Sequence, residues 1–218
     1  MFYLFLYVIV LLAGLYLCRV RLVFERENDF RRKKRVQGWN AFLVFAFVLF
    51  VLVASFRSSE VGADTYSYAV LFNKFADGES FESVKSIAST IEIGYLVFIK
   101  IISMFTDNTV IFFMVHSIII YGCFLKYLKE NSEDVIMSVM FFTALCFTST
   151  FNIMRQYLAI GLVLSALTMF RKKKRFQASG LCAASLLIHR ASIVMIPIIF
   201  IDKIKNKSFW FLNQYSFC

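Results

Sequence analysis

The chain has 218 residues, of which 60% are apolar, with 27 Phe and one proline, Pro197. That apolar share exceeds the ~45–50% of soluble globular domains and excludes an ordinary one. The net charge of +10 sits in short clusters between apolar stretches, which is the pattern of a membrane protein's inner loops and not of a nucleic-acid surface. The sequence therefore predicts an all-α, polytopic helical integral membrane protein. It reads as one membrane domain over residues 1–218, with about six to eight membrane segments.

The first apolar segment, Phe2–Cys18, lacks a basic leader and a small-residue cleavage site and reads as a permanent span. Residues 19–38 follow with eight basic residues, including the run at 31–35. Charge bias makes that segment a cytoplasmic loop and puts the N-terminus outside. Residues 39–56 run outward as a second span. Residues 57–92 carry three basic and six acidic residues and form an external polar loop, in which 82–91 lie along the interface.

Residues 93–105 are short for a span and contain Lys100. A full crossing there would place the basic run at 171–175 outside, against the charge bias. The segment is therefore expected to be re-entrant or interfacial, starting and ending outside. Residues 110–125 run inward, 135–150 outward, 157–170 inward to the basic run, and 176–188 outward to His189. Residues 193–201 return inward to Lys203, Lys205 and Lys207. Cys18, Cys123, Cys146 and Cys182 fall in or beside apolar segments and Cys218 is terminal, without metal-ligand or redox spacing. They read as small apolar packing residues.

Within residues 135–170 the only charge is Arg155. A charge at membrane depth costs about 2.5–3.5 kcal/mol on insertion scales, so a retained one marks a functional site. The stretch would make about 54 Å of helix against a hydrocarbon core of about 30 Å. It must break, and residues 148–152 are the expected place. Asn152, Arg155 and Gln156 then share a helix face, and an arginine fork flanked by amides is suited to an anion. The competing reading is a polar cluster that glues helices together.

This layout brings Arg57, Asp64, Glu92, Asn152, Arg155, Gln156 and His189 to the external side. Gly62 permits a turn that returns Asp64 toward the membrane. Tyr66 and Tyr68 suit an interface, and Asp64 has the alternative role of helix cap. Glu92 opens a helix, where the macrodipole alone accounts for it. His189 lies about 21 Å of helix beyond Arg175, near the outer surface. It suits proton transfer, phosphate contact or a structural hydrogen bond. His116 reads as a helix-packing residue. Phosphate-binding glycine loops and zinc spacings are missing, so no cofactor and no metal is expected.

Taken in order, four pieces resemble the EpsG family of bacterial exopolysaccharide and O-antigen polymerases. They are Arg57 with Val61-Gly62-Ala63-Asp64-Thr65-Tyr66-Ser67-Tyr68; Glu92-Ile93-Gly94-Tyr95; Phe151-Asn152-Ile153-Met154-Arg155-Gln156 with the basic run; and His189-Arg190-Ala191-Ser192. The resemblance implies a multi-pass, Wzy-like polymerase of the bacterial cytoplasmic (inner) membrane. It would join undecaprenyl-diphosphate-linked oligosaccharide repeat units on the external face, for exopolysaccharide, capsule or O-antigen. Membrane lipids and other polysaccharide assembly proteins would be its partners, and nucleic acid would not.

In that role Arg57 and Arg155, with Asn152 and Gln156, would hold the diphosphate and sugar. Asp64, Glu92 and His189 are the candidate catalytic groups, with Asp64 preferred as base for the acceptor hydroxyl and His189 open to either role. The resemblance also implies further spans after the His189 segment, so the expectation is a C-terminally truncated member with activity in doubt. The alternatives are a flippase or transporter component for lipid-linked oligosaccharides, or a non-catalytic partner in polysaccharide assembly. A transporter would be expected to place its polar groups near the midplane of paired halves.

Overall fold

A computed structural model describes residues 2–18, 29–58, 60–195 and 197; for residues 29–37 and 195 it describes the backbone. Every regular element among them is helical: α1 (Phe2–Cys18), α2 (Asp29–Ser55), α3 (Thr65–Ala76), α4 (Phe81–Ile87), α5 (Ile93–Ser103), α6 (Thr109–Asn131), α7 (Val135–Phe141), α8 (Ser149–Asn152), α9 (Met154–Arg171) and α10 (Arg175–Ile188). A π-helical stretch, Phe142–Cys146, continues α7, and a 3₁₀ turn, Arg190–Met195, follows α10. The predicted inward return at 193–201 and the lysines beyond it fall largely outside the described residues, as do residues 19–28 and Cys218.

Two helical stretches, Gly38–Ser55 and Thr109–Asn131, are long and apolar enough to cross a bilayer. Phe2–Cys18, Ile93–Ser103 and Val135–Cys146 are shorter apolar segments. Large apolar side chains also cover the outside: Leu4, Val44, Leu145 and Phe176 are all more than 60% exposed. A surface so apolar suits lipid and not water.

α2, α6 and α9 pack side by side, with α1 against α2 and α10 against α9. Phe50, Tyr121, Phe142 and Phe147 form a ring cluster at the centre. Small residues bring helices close, as in other membrane bundles. A Cβ on Gly14 would lie 2.9 Å from Ile136 Cγ2.

The bundle has two different ends. One holds the C-termini of α6 and α9 and the N-terminus of α10. There Lys172 pairs with Glu130 at 2.9 Å, and Arg171 donates to Asn131. Gly38 lies against Leu17 and Cys18 at the C-terminus of α1. The basic run at 31–35 lies on α2 itself, not in a loop, because the helix begins at Asp29. Arginine and lysine are good helix formers, so the polar run extends the span.

The other end gathers the C-termini of α2 and α10 and the N-termini of α6 and α9, capped by α3, α4 and α5. Ser80 caps α4, accepting from the Ser83 N–H at 3.2 Å. Residues 82–91 are thus a short capped helix and turn. Thr109, opening α6, donates to Asn73 on α3 at 3.1 Å. α5 begins beside α9 and α10 and leads directly into α6, so both its ends meet this same end of the bundle.

Candidate functional site

The apolar stretch from Val135 breaks one residue beyond the expected place. Ile153 leaves the helical region at φ −132° and ψ 56°, separating α8 from α9. Asn152 therefore does not share a helix with Arg155 and Gln156. Its Oδ1 instead accepts the Ala63 N–H at 3.1 Å, tying the loop before α3 to α8. Gln156 is exposed on the first turn of α9. An arginine flanked by two amides on one helix face is not formed.

Glycines set how closely these pieces meet. Gly62, at φ 97°, lies so near α8 that a Cβ would come 2.5 Å from the Phe151 carbonyl oxygen. A side chain there meets both a left-handed backbone and a collision. Gly94 is equally tight against Leu187 at the end of α10. The first contact fixes the loop carrying Asp64, and the second fixes Glu92 beside His189.

Glu92 stands at the centre. Its Oε2 accepts from Arg155 Nη1, and its Oε1 accepts the Arg190 backbone N–H at 3.1 Å. His189 Nδ1 lies 3.5 Å from the same Oε1 and Arg190 Nε 3.9 Å from it. Burial alone would raise the Glu92 pKa. The N–H groups of Arg190 and of Glu92 itself, with the charges of Arg155 and His189, outweigh burial and hold it below the usual carboxylate range. His189 Nδ1 is buried without a hydrogen bond, the ion-pair distance to Glu92 falling outside hydrogen-bond geometry.

Arg155 uses its fork in two directions. Nε donates to the Tyr68 hydroxyl at 2.7 Å, and Tyr68 donates onward to Asp64 Oδ2 at 3.3 Å. Burial pushes the Tyr68 phenol up, so it keeps the proton this relay needs. Asp64 stands at the N-terminus of α3 but caps no N–H with its side chain. Among the described residues its carboxylate accepts from Tyr68. Tyr95 lies beneath, edge-on to Tyr68 with centroids 5.0 Å apart, its hydroxyl 3.3 Å from Nε2 of the buried His116.

Asp64, Glu92, Arg155 and His189 are thus linked through Tyr68 into one network, with Asn152 at its edge. Arg57 is not part of it. Its guanidinium instead donates to Met154 Sδ at 3.1 Å, to Thr65 Oγ1 at 3.1 Å and to the Ala54 carbonyl. Sequence reasoning missed Tyr68 as a connector and Arg190 as a backbone donor. Their partners lie 87 and 98 residues away, beyond any local spacing rule. No group of metal-binding side chains occurs among the described residues.

Residues 40–218 match the model of the EpsG family. The chain belongs to the EpsG family. No curated protein and no solved structure matches it significantly. In this family member the Gly62, Glu92-Ile93-Gly94 and Asn152–Arg155 segments, far apart in sequence, meet at one end of the helical bundle.

Proposed function

We propose that this EpsG-family membrane protein is a polysaccharide polymerase. It joins undecaprenyl-diphosphate-linked oligosaccharide repeat units at the external face of the bacterial cytoplasmic membrane. The observation that carries the reading is the Glu92-centred network at the end of the bundle opposite the basic runs. Basic runs favour the cytoplasmic side. With 31–35 and 171–175 inside, α1 starts outside, the network faces outward, and α5 enters and leaves from the external side.

The chemistry follows from the contacts. In glycosyl transfer the anomeric carbon–oxygen bond to the lipid diphosphate breaks, and a bond to the acceptor hydroxyl forms. The departing diphosphate needs positive charge and hydrogen-bond donors, and Arg155 and Arg190 are grouped for that, with His189 beside them. Glu92 is a poor base because its pKa is lowered. It is better suited to holding the Arg155 and His189 side chains and the Arg190 backbone in place. Asp64 is the better candidate to take the acceptor proton, oriented by Tyr68. The diphosphate linkage itself supplies the driving energy, which suits a face without ATP.

Membranes carrying the protein, from a bacterium lacking its own polymerase, test this directly. Supplied with undecaprenyl-diphosphate-linked repeat units, they should yield a ladder of longer glycans and free undecaprenyl diphosphate. Repeat units recovered intact would rule the reading out.

A further inference from the structure

Arg57 lines a cavity of about 360 Å³ between the C-terminus of α2, α3 and the N-terminus of α6. Tyr66, Asn73 and Thr109 give it polar lining, and Val110 and Phe113 give it apolar wall. Among the described residues, neither Arg155 and His189 nor any acidic side chain lines it.

Among the described residues Arg57 has no carboxylate partner. Its hydrogen bonds go to a thioether, a hydroxyl and a carbonyl. Its guanidinium carbon lies 4.4 Å from the Phe113 ring centroid and 4.8 Å from that of Phe151. These neutral partners offset only part of the cost of withdrawing a cation from water. Partial burial pulls the Arg57 pKa down to about 10, in the direction a half-buried cation without a carboxylate partner should move. The N-terminus of α6 adds the positive end of a 23-residue helix. Among the described residues the cavity has a cation, neutral polar groups and apolar walls, and no negative charge.

We propose that this cavity is a second phosphate site, which takes the phosphate of a lipid headgroup separately from the Glu92 network. The assignment to a particular lipid rests on the polymerase reading. A polymerase handles two lipid-linked units at once, and the second would offer its diphosphate here. An anionic phospholipid would offer the same chemical group.

The test is binding by the full chain in detergent, with native mass spectrometry used to count retained lipid. Undecaprenyl diphosphate is the probe and phosphatidylglycerol the competitor. Arg57→Gln and Asn73→Asp should each weaken retention of one phosphate lipid by about tenfold or more, while Arg155→Gln keeps it. Asn73→Asp sets a carboxylate in the cavity as an internal counter-ion and preserves the acceptor of the Thr109 hydroxyl. It should keep the thermal midpoint even if Arg57→Gln misfolds. Displacement by phosphatidylglycerol at equal concentration would assign the site to phospholipid, and resistance would assign it to the second lipid-linked unit. Either result supports a phosphate site. Unchanged retention in both cavity variants, or loss confined to Arg155→Gln, overturns it. Binding is read without polymer, so a failure to polymerise would count against the polymerase reading alone.

Discussion

Gly94 rests directly against Leu187: a Cβ at residue 94 would lie 2.5 Å from the Leu187 carbonyl oxygen. Backbone cannot yield as a flexible side chain does, so Gly94→Ala must push α5 away from α10. Overpacking of this kind costs about 1–3 kcal/mol. The same shift draws Glu92 away from His189 and Arg190. A lowered thermal midpoint and loss of polymer are expected together. Gly180→Ala, with open space at its Cβ, should be neutral or mildly stabilising in the same melts.

Glu92→Gln leaves Arg155 and His189 without their shared carboxylate and should cost about 1–3 kcal/mol of stability near neutral pH. The pH dependence has a definite sign. The folded-state pKa of Glu92 is lowered, so its contribution is fully present above the ordinary carboxylate value of about 4.3 and fades as pH falls through the folded value. Melts of the two proteins should differ at pH 7 and converge in acid. A gap that stays constant down to acid pH would show that the charge of Glu92 is not what stabilises the fold.

Arg155→Lys keeps a positive charge but cannot reach Glu92 and Tyr68 at once, because it lacks the planar fork. Polymer formation should fall about 100-fold or more while the protein still inserts in the membrane. Polymer at wild-type levels would reassign Arg155 to helix packing.

Tyr68→Phe removes one hydroxyl and leaves the buried ring. Arg155 and Asp64 lose their connection, but the packing against Tyr95 survives. Activity should drop about tenfold, with a stability change within about 1–2 kcal/mol. An activity loss no larger than the fall in folded protein would mean that the relay does not serve the reaction.

Membrane orientation can be read by single cysteines in a background without the native ones. Positions 60 and 107 should react with an impermeant reagent from outside intact cells, and position 173 should not. Reaction at 173 with protection at 107 would mean that α5 crosses the membrane.

The long spans were legible because hydropathy is a local signal, and α2 and α6 carry it strongly. The need for a break after residue 147 followed from length alone. Its position at Ile153 did not, and that one residue separated Asn152 from Arg155. Glu92 was undervalued because the first turn of a helix explains a carboxylate cheaply. Its true setting depends on Arg155 and Arg190, 63 and 98 residues away. Arg57 was grouped with Arg155 because both belong to the same end. Which partners each guanidinium meets, Met154 and Thr65 for one and Glu92 and Tyr68 for the other, is a matter of packing that no spacing reveals.

The separation between Glu92 and Arg190 also has a consequence in time. Chains emerge at about 5–20 residues per second, so Glu92 precedes its last partner by roughly 5–20 s. Until residues 154–188 have been made, α3, α4 and α5 lack α9 and α10 to close against. The network is therefore among the last parts of the protein to form during synthesis, and a chain interrupted before residue 190 would present this carboxylate half-assembled to the quality-control machinery of the cell.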